Sequence, residues 1–155
     1  MNEHFWSRRV PPGESASRQW VWCFVGNVVA ALYSFRFLAQ YLEARGELYY
    51  GYGKEAVLIE GARMTAFSDL MEGALYGFPI AALWMLCFIP FYLASFYQGS
   101  RSIYLMRRLP SHGELWRRTA SLPLYCFAAT VAACALTALV WLGVYWLATP
   151  QAALP

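Results

Sequence analysis

Residues 77–98 read GFPIAALWMLCFIPFYLASFYQ, 22 residues without a single charged side chain. An α-helix rises about 1.5 Å per residue, so this stretch extends about 33 Å, against a hydrocarbon core of about 30 Å. A run of that length and composition reads as a membrane span. Pro79 stands near its start, where proline is tolerated. Pro90 lies well inside and kinks the helix unless neighbouring groups satisfy the freed carbonyl. The kink serves either packing or a hinge.

The same pattern occurs on both sides. Residues 20–41 (WVWCFVGNVVAALYSFRFLAQY) form the first span, and residues 122–148 a third without charge. Of the whole chain, 59% is hydrophobic and only 14% charged, where soluble domains average about 25% charged. A 155-residue soluble chain cannot hide that much apolar surface, because small domains bury a limited fraction of it. The reading is an all-α membrane protein with three transmembrane helices. A net charge of +3 is too small to suggest a nucleic-acid partner, and its distribution in blocks reads as membrane topology.

Those blocks fix orientation by the excess of Lys and Arg in cytoplasmic loops. The 1–19 tail carries Arg8, Arg9 and Arg18. The 99–121 loop carries Arg101, Arg107, Arg108, Arg117 and Arg118 against the single acid Glu114. In the 42–76 loop three basic residues are diluted by six acids, and the 149–155 tail has no charge. The expectation is a cytoplasmic N-terminus, an external 42–76 loop, a cytoplasmic 99–121 loop and an external C-terminal tail. Arg8–Arg9 is not an export signal, since PPGESAS follows instead of an apolar stretch. Within 42–76, YYGYG at 49–53 suggests an aromatic turn near the headgroups, and residues 55–73 a short interfacial or external helix.

Small residues mark faces for helix packing. Gly26, Ala30 and Ser34 lie four apart on the first span, with Asn27 beside them as a hydrogen-bonding group. Ala128, Ala132 and Ala135 supply a second small face on the third span. Such stripes let helices approach closely, so association with itself or with other membrane helices is expected. Arg36 is a charge within the first span. It either snorkels to the outer headgroups or pairs with an acid such as Glu43.

Chemistry of its own is not legible. His4 and His112 are the two histidines, no acid lies within a span, and no nucleophile–base pair can be placed at membrane depth. Cys23, Cys87, Cys126 and Cys134 form no CxxC pair and read as small buried hydrophobes, with no metal site. There is no phosphate-binding GxxxxGK[ST] loop, so any ATP hydrolysis belongs to a partner. The chain reads as a non-enzyme without a directly bound cofactor.

The 99–121 loop, GSRSIYLMRRLPSHGELWRRTAS, has internal architecture. Residues 100–109 read as a short amphipathic helix stopped by Pro110. Ser111 and Glu114 match the S-x-x-E capping box that starts a second helix. The loop is therefore expected as a cytoplasmic helix–turn–helix. Attraction of its arginines to anionic lipid, worth about 1 kcal/mol each, explains the charge but not the Leu-Pro stop or the cap.

RSIYLMRRLPSHGELWRRTASLPL resembles the cytoplasmic loop of ABC-2-type transporter permeases, in which a short helix ending in Leu-Pro precedes a turn, an acid and a basic entry to the next span. Leu109–Pro110, Ser111, Glu114 and Arg117–Arg118 occupy those places. It is most similar to small bacterial membrane proteins that accompany an ATP-binding cassette ATPase. The resemblance implies a coupling helix at Ser102–Leu109. Tyr104, Leu105 and Met106 would enter a groove of the partner ATPase, and Arg101, Arg107 and Arg108 would pair with acids at its rim. Family permeases usually carry twice as many spans, so the chain would be a subunit needing partners in a bacterial plasma membrane. A non-transport immunity or regulatory protein is the alternative that the small-residue faces support equally.

Overall fold

The computed structural model of the chain describes residues 15–50, 57–59, 61–98 and 112–153. The described residues are mostly helical (79%). Among these residues three helical stretches are long and apolar enough to cross a membrane: Ala16–Gly46, Gly77–Ala94 and Thr119–Ala148.

The first stretch is two segments, α1 (Ala16–Tyr33) and α2 (Arg36–Gly46). Helix begins at Ala16, before the Trp20 expected from hydropathy. Between the segments the Ser34 N–H donates to both Ala30 O and Ala31 O at 3.1 Å, while Ser34 Oγ donates to Ala31 O at 2.6 Å. A serine that bonds back to its own helix competes with the regular ladder and bends it, which accounts for the interruption.

A short antiparallel pair follows, β1 (Tyr49–Tyr50) with β2 (Val57–Leu58), Tyr49 opposite Leu58 and Tyr50 opposite Val57. The helix expected over 55–73 is reduced to α3 (Phe67–Leu70). Two glycines explain this. Gly61 at φ +82° and Gly73 at φ +77° adopt left-handed backbone that no helix continues through. Tyr and Val, meanwhile, favour the extended ladder. Residues 51–53 of the YYGYG stretch lie outside the described residues.

α4 (Gly77–Gln98) carries Pro90 inside it. α5 (His112–Ala148) is 37 residues long and contains Pro123. Residues 112–121, assigned from sequence to the loop, therefore belong to the helix that becomes the third candidate span. The short helix expected over 100–109 lies outside the described residues.

Two compact units emerge, residues 1–28 with 78–133 and residues 29–77 with 134–155. In the first, Cys23, Met85, Leu122 and Cys126 form the core, with Ala16, Trp20 and Phe88 packed against it. In the second, Phe37, Tyr41, Leu48, Met64, Leu70, Ala74, Trp141, Tyr145 and Ala153 form the core. Its rings are in direct contact, Phe37 with Trp141 at 5.2 Å and Phe67 with Tyr145 at 5.6 Å between centroids. The Met64 N–H donates to Ala153 O at 2.8 Å, tying the segment before α3 to the C-terminal 3-10 turn Gln151–Ala153. Large apolar side chains stay exposed along all three stretches, among them Phe24, Leu32, Ile80, Trp84, Leu136, Leu139 and Leu147. Water would penalise that much contiguous apolar surface; hydrocarbon does not.

Candidate functional site

Gln19, Cys23 and Asn27 are spaced four residues apart on α1 and so share one face. Within the first unit each meets a polar group from another helix. The Tyr92 hydroxyl on α4 donates to Gln19 Oε1 at 2.8 Å, with Gln19 only 2% exposed. One turn on, the Cys23 thiol donates to Cys126 O on α5 at 3.9 Å. A further turn on, Asn27 Nδ2 donates to Thr130 Oγ1 at 3.2 Å and to Cys23 O at 2.8 Å, with Cys23 Sγ at 3.6 Å. The Thr130 hydroxyl in turn donates to Cys126 O at 2.9 Å. The result is a file of three polar pairs along the inside of the unit.

The file is incompletely satisfied. Gln19 Nε2 and Asn27 Oδ1 are buried without a hydrogen-bond partner. An orphaned buried polar atom costs about 1–3 kcal/mol, so a purely structural core would favour leucine at either place. In an apolar helix bundle such neutral polar side chains hydrogen-bond across helices. The arrangement can hold a ligand or a partner's polar group; it contains no nucleophile–base pair.

The second unit has its own polar ties. Trp141 Nε1 donates to Ser34 Oγ at 3.0 Å, the Tyr41 and Thr149 hydroxyls are 3.2 Å apart, and the Tyr145 hydroxyl donates to Thr65 O at 3.0 Å. A shallow cleft of about 210 Å³ is lined by Gln40, Glu43, Ala44, Glu47, Thr65, Asp69 and Leu70. Glu43 lies on α2, Glu47 caps its C-terminal end, and Asp69 lies on α3. At that size the cleft falls below the ≈ 300 Å³ at which small-molecule pockets begin. Among the described residues no three His, Cys, Asp or Glu side chains converge to hold a metal ion.

The residues singled out from sequence are distributed as follows. Gly26 faces Ala81 and Met85: a Cβ there would lie 3.7 Å from Ala81 Cβ and 3.8 Å from Met85 Cε. Asn27 reaches Thr130. Ala30 is buried, with its Cα where a Cβ on Gly77 would meet it at 2.9 Å, and Ser34 is buried beneath Trp141. Ala128, Ala132 and Ala135 are exposed; the buried face of α5 in the first unit is Thr119, Leu122, Pro123, Cys126 and Thr130. Arg36 is exposed, and its guanidinium donates to the Tyr33 hydroxyl at 3.4 Å. Arg101, Ser102, Tyr104, Leu105, Met106, Arg107, Arg108, Leu109 and Pro110 lie outside the described residues. Glu114 stands in the first turns of α5.

Gln19, Tyr92 and Thr130 escape the sequence reading. The signal for Gln19 was its four-residue spacing to Cys23 and Asn27, hidden once residue 19 was counted with the tail. Tyr92 and Thr130 carry no such signal, because which face of an all-apolar helix is buried depends on its neighbours.

No protein-family model, curated protein or solved structure matches the chain.

Proposed function

We propose that the chain is a three-span subunit of a transporter of ABC-2 type in a bacterial plasma membrane, with its N-terminus in the cytoplasm and its 99–121 loop docked on a partner ATPase. The observation that carries this reading is the loop RSIYLMRRLPSHGELWRR itself, a basic amphipathic segment closed by Leu-Pro and followed at once by helix. α5 begins at His112 and runs without a turn into the stretch from Thr119. A push on the loop is thereby delivered along a helix, the kind of rigid connection that domain closure needs to move membrane segments. ATP acts only through the partner. Tyr104, Leu105 and Met106 supply apolar contact, and the arginines on either side set orientation more than affinity.

A second reading is favoured by the exposed Ala128 and Ala132: a regulatory or immunity protein that packs against another helical bundle through small residues. Copurification in mild detergent from the native host separates the two. An ATP-binding cassette subunit that accompanies the wild type and is lost from Tyr104→Ala/Leu105→Ala/Met106→Ala supports the transporter. An accompanying membrane protein without an ATPase, insensitive to the triple change, supports the regulatory reading.

A further inference from the structure

We propose that Cys23, Cys126 and Met85 form a binding site for a soft, thiophilic d¹⁰ cation, with Cu(I) as the probe. This does not depend on the transporter reading, since it concerns the core of the first unit and not the loop.

Three elements each contribute one sulfur. Cys23 comes from α1, Met85 from α4 and Cys126 from α5, and all belong to one buried cluster, at 3%, 1% and 0% exposure. Cys23 already reaches across to the backbone of Cys126 at 3.9 Å. Two thiols and a thioether form a donor set that selects Cu(I) over the harder divalent ions, which prefer imidazole and carboxylate; neither group is in the cluster.

Polar neighbours fit the same role. Asn27 Nδ2 lies 3.6 Å from Cys23 Sγ, and a donor at a sulfur favours the thiolate that binds metal. Entry of Cu(I) releases both thiol protons to the medium, because the thiolate and not the thiol is the metal ligand. The two thiolates and the cation then carry one net negative charge, beside the Asn27 amide donor. Met85 completes a three-coordinate set. Methionine has three rotatable bonds, so its sulfur can adjust without moving the helix. Gln19 and Tyr92, one turn towards the start of α1, provide polar groups beside the site on that side.

Anaerobic titration of the full-length, detergent-solubilised protein with the Cu(I)–bicinchoninate complex tests the proposal. The wild type should withdraw a single equivalent of Cu(I), and Cys87→Ser/Cys134→Ser should do the same. Cys23→Ser/Cys126→Ser should lose that uptake, and Met85→Leu, which conserves volume, should bind about tenfold more weakly or worse, the lower end of what losing a supporting group costs a metal site. No uptake by the wild type overturns the site without recourse to any variant. Undiminished uptake by Cys23→Ser/Cys126→Ser, or by Met85→Leu, also overturns it. If the serine pair does not fold, the wild type and Met85→Leu together decide the question.

Discussion

The indole N–H of Trp141 is held by the hydroxyl of Ser34 at 3.0 Å, and that hydroxyl in turn donates to Ala31 O. One serine therefore bends its own helix and satisfies the buried indole N–H of the second unit. Ser34→Ala removes the acceptor and leaves the Trp141 N–H buried and unpaired. The expected cost is about 1–3 kcal/mol, read as a lower thermal midpoint in detergent. Trp141→Phe, which removes the donor as well, should restore part of the loss in the double variant.

Gly77 and Ala30 meet with no room for another carbon. A Cβ on Gly77 would stand 2.9 Å from Ala30 Cα and 3.1 Å from Ala30 Cβ, so backbone must shift. Gly77→Val should destabilise by about 1–3 kcal/mol, as overpacking does. Gly143→Ala is the matched control, since nothing lies within 4 Å of its added Cβ. It should be neutral or stabilise by up to about 1 kcal/mol, the usual gain of alanine over glycine in a helix. A fall in stability for Gly143→Ala matching that of Gly77→Val would contradict the assigned contacts.

Asn27 ties α1 to Thr130 on α5 yet keeps one buried oxygen unpaired. Asn27→Ala should cost about 0.6 kcal/mol, the average for a hydrogen bond between membrane helices. Asn27→Leu, which like the alanine removes the orphaned oxygen but keeps the side-chain volume, should be closer to wild type in midpoint. A loss of function in Asn27→Leu at unchanged stability would identify the oxygen as a working group and not a packing compromise.

Gly73 adopts φ +77° with space around it: the atoms nearest its added Cβ would be those of Arg36 and Tyr76, at 3.8 Å. The penalty of Gly73→Ala is therefore backbone strain alone, about 1–2 kcal/mol, and Gly73→Asn should cost less, because asparagine enters the left-handed region more readily. Chemical denaturation of the two variants in the same detergent provides the comparison.

The three apolar helices were legible because hydrocarbon imposes length and composition together, and residues 77–98 satisfy both with no competing signal. The stripe Gly26–Ala30–Ser34 was legible as a place of close approach, and Gly77, Ala81 and Trp141 are what it approaches. Less was readable between the spans. Residues 55–73 alternate apolar and acidic side chains well enough to suggest a helix, but nothing in that alternation reveals that Gly61 and Gly73 are left-handed. The interior face of α5 was hidden for a different reason. With nearly every residue apolar, Cys126 and Thr130 stand out only once their partners on α1 are known.

The hydrogen bond from Met64 N–H to Ala153 O also constrains how the chain threads a bilayer. Two residues in direct contact in the segments flanking α4 and α5 must lie on the same side of the membrane. Between residues 64 and 153 the number of crossings is then even: α4 and α5 both traverse, or neither does. Labelling the segment around Met64 therefore also locates the turn Gln151–Ala153, whichever compartment that proves to be.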